Sequence, residues 1–201
     1  MMYTRENFVT RFTPFVNKTV RGTGLFPGTV FAQAIIESQG KVGGTYYVGA
    51  STLSQKANNY FGIKCHGWSG KTFNIDTGEQ HPDGTTYIDK KACFRAYDRV
   101  EDSIKDYVNF LLSNPRYRDA GVFDAKSVEE QADALKRAGY ATGTHYAQLI
   151  KDVYGSIKGY IKSAYQDPKA FIKGNWWVIL ILMAFLVGIG VITYKLVKTR
   201  K

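Results

Sequence analysis

Apolar residues recur at helical spacing through much of the chain, and the elements follow from that pattern. Phe8, Phe12 and Phe15 or Val16 line one face between Thr4 and Thr19, which predicts a helix bent or restarted at Pro14. After Pro27 and Gly28, the positions Val30, Phe31, Ala34 and Ile35 repeat in the same way and predict a second helix, largely buried, that stops at Gly40. Residues 40–54, rich in Gly, Ser, Thr and Tyr, read as a loop that overhangs a cleft, and residues 53–59 as a short helix.

From Cys65 to Tyr97 the period changes. Short runs of Thr, Phe, Tyr and Ile are broken by Gly, Asp, Asn and Pro, which predicts two or three strands. Three helices follow. Asp98 with Glu101 forms a capping pair ahead of Val100, Ile104, Tyr107, Val108 and Leu111, and Ser127 with Glu130 does the same ahead of Val128, Ala132 and Leu135, with Gly139 placed to end that helix. Thr144 precedes a run whose apolar face carries Tyr146, Ala147, Ile150, Val153, Tyr154 and Ile157. The expected class is therefore mainly α with a small β-hairpin lobe.

A different pattern closes the chain. Residues 176–194 hold no charged side chain and are dominated by Ile, Leu, Val, Ala, Phe and Gly. At about 1.5 Å per residue this run reaches roughly 28 Å, close to the thickness of a bilayer's hydrocarbon core. Trp176, Trp177 and Tyr194 fall at the two expected interfaces, and Lys195, Lys198, Arg200 and Lys201 follow. The expected organisation is a folded domain at 1–162, a basic linker at 163–175, a single transmembrane helix at 176–194 that contacts lipid, and a basic tail at 195–201. The positive-inside preference places the tail in the cytoplasm and the domain on the periplasmic or cell-wall side. Residues 1–7 run into an amphipathic segment without the apolar stretch of a signal peptide, so the export route stays open.

Composition narrows the partners. Of 201 residues, 44% are hydrophobic and 14% aromatic, enough for a real core, and the formal charge of +10 favours an anionic partner. No RNP-type aromatic strand, zinc finger or basic heptad region is present, so the expectation is an anionic wall or headgroup layer and no nucleic acid. The surplus lysine also serves solubility and membrane orientation. Cys65 and Cys93 bracket the strand region; they pair as a disulfide outside the cytosol or remain buried thiols. His66, His81 and His145 lack ligand spacing, so neither a metal nor a cofactor is expected.

The chemistry centres on Glu37, a lone carboxylate in the last turn of an apolar helix. Burial disfavours its charged form, and so does the negative end of the helix dipole. Both hold a proton on the side chain near neutral pH, as a general acid requires. Ten residues alone do not separate this from a surface glutamate at a helix end. Four stretches in order do more: Ala32-Gln33-Ala34-Ile35-Ile36-Glu37-Ser38 itself, then Ala57-Asn58-Asn59-Tyr60-Phe61-Gly62-Ile63-Lys64, Phe94-Arg95-Ala96-Tyr97, and Gly139-Tyr140-Ala141-Thr142 with Tyr146-Ala147 behind it. In that order they resemble family 73 of the glycoside hydrolases, the bacterial endo-beta-N-acetylglucosaminidases found in autolysins and in the flagellar peptidoglycan hydrolase.

The resemblance implies a lysozyme-like helical domain with a β lobe, acting on peptidoglycan glycan strands. It implies that Glu37 is the essential acid, that Glu79 in Thr77-Gly78-Glu79 is the second carboxylate, with Asp76 and Asp83 as rivals, that Tyr140 lies near the cleavage point, and that Asn59 and Phe61 line the groove. Two stretches depart from the family. Gln39-Gly40-Lys41-Val42 stands where Gly-x-Gly-x-Ser is usual, and Gly143-Thr144-His145 replaces an Asp-Pro. Among the aromatics, Trp68 and Tyr146, with Tyr46, Tyr47 and Tyr60, are candidates to stack on sugar faces, or else ordinary packing residues. The competing function is a membrane-anchored peptidoglycan-binding or structural protein without turnover.

Overall fold

The computed structural model describes residues 1–80 and 85–166. The expected transmembrane helix at 176–194, the tail at 195–201, most of the linker, Asp83 and His81 lie outside the described residues. Among those residues, no helix is long and apolar enough to cross a membrane. Seven helices and two small hairpins follow one another along the described chain.

Helix α1 spans Arg5–Val20 and is capped by the Thr4 hydroxyl, which accepts from the Asn7 N–H. It continues through Pro14 without a break, where the sequence predicts a bend or restart. Its face of Phe8, Val9, Phe12 and Val16 is buried and outweighs the one hydrogen bond that proline removes. Helix α2, Pro27–Ser38, starts with proline at its first position and is buried almost all round, from Gly28 to Ile35 and again at Ser38. It is the central helix: it packs on α7 (Tyr146–Gln166) and also touches α1 and α6 (Val128–Arg137).

The predicted loop after α2 is in fact a small hairpin, β1 (Gly40–Val42) with β2 (Thr45–Tyr47), turned by Gly43 and Gly44 at positive φ. Local turn chemistry makes it, with almost no apolar burial, which is why the hydrophobic pattern does not reveal it. Helix α3, Thr52–Ala57, ends at Asn58 in the left-handed region (φ 48°), and the Asn58 amide donates to the carbonyls of Tyr97 and Asp98.

The β lobe is a two-stranded hairpin, β3 (Thr72–Gln80) with β4 (Thr86–Arg95), antiparallel from Thr72↔Arg95 out to Gln80↔Thr86, with a bulge between Ile75 and Thr77. Cys65 and Cys93 form a disulfide at its base, with Cα atoms 5.5 Å apart. Helix α4 follows at Val100–Ser113. Its N-cap residue is Arg99, which makes no side-chain capping bond, so the expected Asp98 cap is absent; Asp98 pairs instead with Lys71 at 2.5 Å. A short α5, Pro115–Asp119, precedes α6. At α6 the expected cap forms, with Ser127 Oγ accepting from the Glu130 N–H at 3.2 Å, and Gly139 (φ 72°) ends the helix region. Helix α7 runs to Gln166, so residues 163–166, expected as linker, are helical.

Candidate active site

Glu37 reaches its place because both ends of α2 are tied. At the start, buried Gln131 of α6 accepts from the Phe26 N–H at 2.9 Å and donates to the carbonyls of Gly24 (2.9 Å) and Val122 (2.7 Å). At the end, the Ser38 hydroxyl donates to Ala34 O at 2.6 Å and accepts from the Gly49 N–H at 3.1 Å, while Ser38 O accepts from Ser51 N at 2.9 Å. The chain is thereby turned away one residue after Glu37, and the carboxyl is left half-buried in the last turn.

The carboxyl is met by an aromatic cluster. The Tyr146 hydroxyl, on the first residue of α7, donates to Glu37 Oε1 at 2.8 Å. Gln33, one turn back on α2 and fully buried, donates from Nε2 to the Tyr146 hydroxyl at 3.0 Å, and its Oε1 accepts from the buried Tyr107 hydroxyl of α4. Glu37 Oε2 has no hydrogen-bond partner among the described residues. The residue itself is only partly buried.

Burial raises the Glu37 pKa above its ordinary value of 4.5, and the bond from Tyr146 opposes that rise. Burial likewise pushes the phenols of Tyr107, Tyr140 and Tyr146 well above the usual tyrosine range, with the Glu37 charge adding to each. The three tyrosines therefore remain protonated donors. The carboxyl holds its proton to higher pH than a free one, with one oxygen engaged and the other open.

Tyr140 stands beside this pair without bonding to the carboxyl. Its ring stacks on Tyr146 (5.8 Å between centroids) and meets Tyr107 edge-on at 6.1 Å, while its hydroxyl donates to Phe61 O at 3.2 Å. Phe61 is buried with its ring stacked on Tyr107 at 4.0 Å, so it walls the cluster from within the core. Asn59 is committed to the fold: Nδ2 donates to Ile63 O (3.0 Å) and Arg95 O (2.9 Å), and Oδ1 accepts from the N–H groups of Phe61 and Ile63. It is buried and brackets the loop that holds Phe61.

Trp68 lies elsewhere. Its Nε1 donates to Lys71 O at 2.9 Å and the Arg95 guanidinium sits 4.8 Å over its ring. It lines a cleft of about 420 Å³ with Tyr97, Asp102, Lys105 and Asp106, a lining that includes none of Glu37, Tyr140 and Tyr146. Glu79 occupies the outer end of β3, paired in register with Tyr87. Its rival Asp76 is engaged, accepting from the Lys91 N–H at 2.9 Å beside the bulge. The described residues hold no cluster of His, Cys, Asp or Glu suited to a metal ion.

Two residues of the site escape the sequence reading. Gln33 left a signal, a polar side chain four positions before Glu37 on an otherwise apolar helix, and so on the same face. Tyr107 left none, since its helix spacing is that of any core residue.

The family model described as mannosyl-glycoprotein endo-beta-N-acetylglucosaminidase, named Glucosaminidase, matches residues 13–159. The chain belongs to this glucosaminidase family. The peptidoglycan hydrolase FlgJ of Vibrio parahaemolyticus is 32% identical over 154 residues, covering 76% of this chain and 47% of that protein. The chain thus spans about half the length of the curated relatives it matches. Among solved structures, a peptidoglycan hydrolase mutant from Sphingomonas sp. A1 superposes with a TM-score of 0.62 at 27% identity, covering 79% of this chain and 99% of that one. The glycoside hydrolase domain of Salmonella typhimurium FlgJ gives 0.57 at 26% identity, covering 85% and 98%. The glucosaminidase fold is the mixed helical and small-sheet architecture described above, and Glu37, Tyr140 and Tyr146 all fall inside the matched residues.

Proposed function

We propose that this glucosaminidase domain hydrolyses the beta-1,4 bond after N-acetylglucosamine in peptidoglycan glycan strands, with Glu37 as the general acid. The observation that carries the reading is the state of the Glu37 carboxyl: half-buried, with its pKa raised, Oε1 held by Tyr146 and Oε2 open. A proton on Oε2 passes to the glycosidic oxygen as the bond to the anomeric carbon breaks and positive charge develops on the sugar ring. Water then adds to that carbon and gives up a proton, which completes hydrolysis.

Glu79 is the base for that water in an inverting scheme. In a substrate-assisted scheme the acetamido oxygen of the sugar attacks instead, with Glu79 or Tyr140 in support. A carboxyl separation of about 6.5 to 9.5 Å belongs to inversion and about 5 to 5.5 Å to a carboxylate nucleophile. The similarity to peptidoglycan hydrolases supports peptidoglycan as the substrate, and the charge of +10 suits an anionic wall.

The test is digestion of purified peptidoglycan by the full chain, wild type beside Glu37→Gln and Glu79→Gln, with product ends identified by mass spectrometry and anomeric configuration by NMR. New N-acetylglucosamine reducing ends that vanish in Glu37→Gln are expected. Folded wild type that binds the wall without cutting it would make the protein an anchored binding protein instead.

The same proposal includes anchoring through residues 176–194, with the domain on the outer face. It rests on the uncharged apolar run and the basic residues that follow it. Release of the protein from membranes by alkaline carbonate, or a domain protected from protease added to intact spheroplasts, would overturn that part.

A further inference from the structure

We propose that Tyr107 is a positioning residue for the Glu37 proton, acting at a distance through the Gln33 amide and the Tyr146 hydroxyl. The inference rests on Glu37 being the acid and adds what fixes its proton to one oxygen.

The argument is one of hydrogen-bond direction. A phenol has one proton to donate and can accept in return. Tyr107 is fully buried, so a donor left unsatisfied there would be costly, and Gln33 Oε1 is the acceptor it meets. That contact turns the Gln33 carbonyl toward α4 and its NH2 toward α7. The NH2 group donates to the Tyr146 oxygen at 3.0 Å, so the proton of Tyr146 must point away from Gln33, and it points to Glu37 Oε1 at 2.8 Å.

An Oε1 that already accepts a hydrogen bond is the carbonyl-type oxygen of the neutral acid. The transferable proton is therefore held on Oε2, the oxygen without a protein partner among the described residues. With the amide reversed, Gln33 would accept the Tyr146 proton and Glu37 would lose its donor.

Among the described residues, the titratable groups coupled to Glu37 are tyrosines. Tyr146 comes from α7, Tyr140 from the segment before it, and Tyr107 from α4; Tyr117 of α5 stands behind Tyr107 and Tyr140, with the Arg116 side chain donating to its hydroxyl at 2.6 Å. The tyrosines are protonated throughout the working range, so the basic limb of the pH profile reports Glu37 itself.

The experiment is the pH dependence of kcat/KM on soluble glycan fragments for wild type, Tyr107→Phe, Tyr146→Phe and the double variant, each with a melting curve. Tyr146→Phe removes the bond that favours the carboxylate, so its basic limb moves to higher pH. Tyr107→Phe is expected to move the limb in the same direction by less, and to lower kcat/KM at the optimum roughly tenfold. In the Tyr146→Phe background, Tyr107→Phe should move the limb no further, because its path runs through the missing hydroxyl.

A Tyr107→Phe variant that only melts earlier, with its basic limb unmoved, would reduce Tyr107 to packing and overturn the proposal. So would an equal shift in the Tyr146→Phe background. Failure of the underlying reading looks different: Glu37→Gln would then cut peptidoglycan as wild type does.

Discussion

Tyr146 donates its phenol proton to Glu37 Oε1 across 2.8 Å, and this bond joins the first residue of α7 to the last turn of α2. Among the described residues those helices make the most extensive helix-to-helix contact, so the acid's position is set by a well-anchored seam. A carboxyl in such a place has consequences for stability as well as for chemistry.

The folded state holds the Glu37 proton to higher pH than the unfolded chain does. Between the unfolded value near 4.5 and the raised folded value, the native state binds more protons, so stability falls as pH rises through that window and stays lowered above it. Glu37→Gln should therefore melt higher than wild type at neutral pH, with the gain shrinking to nothing below pH 4.5. Calorimetry at several pH values checks the sign.

Tyr140 and Tyr146 stack together but differ in what their hydroxyls touch. Tyr140→Phe loses a bond to Phe61 O and nothing at the carboxyl, so we expect less than a tenfold loss of peptidoglycan cleavage. The basic limb of its pH profile should stay with wild type, in contrast to Tyr146→Phe.

Thr29 is fully buried on α2 and its hydroxyl meets no partner among the described residues. Thr29→Val keeps the shape and removes an unsatisfied polar group, which is worth about 1 kcal/mol of added stability. Urea unfolding would show a higher midpoint with an unchanged slope.

Gly24 holds a φ of 81° just before α2, and a Cβ there would run into the Phe123 carbonyl, whose carbon stands 3.0 Å away. Gly24→Ala combines left-handed strain with a backbone clash and should cost about 3 kcal/mol or more. The same urea titration measures it.

The β lobe leans on the helices chiefly at α3, and the Cys65–Cys93 disulfide closes its base. Removing the cross-link from a loop of this size frees unfolded-state entropy worth about 3 to 4 kcal/mol. Cys65→Ala with Cys93→Ala should speed amide exchange in β3 and β4 by roughly several hundredfold. The amides of α2 should remain protected.

Much of this was legible in the residues. The apolar spacing of Val30, Phe31, Ala34 and Ile35 gave α2, the Ser127 and Gly139 signals gave α6 its ends, and Cys65 and Cys93 gave the lobe its clasp, because each depends on neighbours in sequence or on chemistry that one residue type announces. The uncharged apolar run at 176–194 is read from the sequence alone, and it lies outside the described residues.

What only the tertiary structure decided is which side chain meets which. Asn59 and Trp68 have the residue types of a groove, yet one brackets a loop and the other lines a cleft on α4, because their partners Ile63, Arg95 and Lys71 are fixed by how the lobe docks. Tyr107 and Tyr146 stand 74 and 113 residues beyond Gln33 in the chain. A hydrogen bond has a range of about 3 Å and a direction. Periodicity records which face of a helix is buried, and it carries no record of which distant phenol will point at that face.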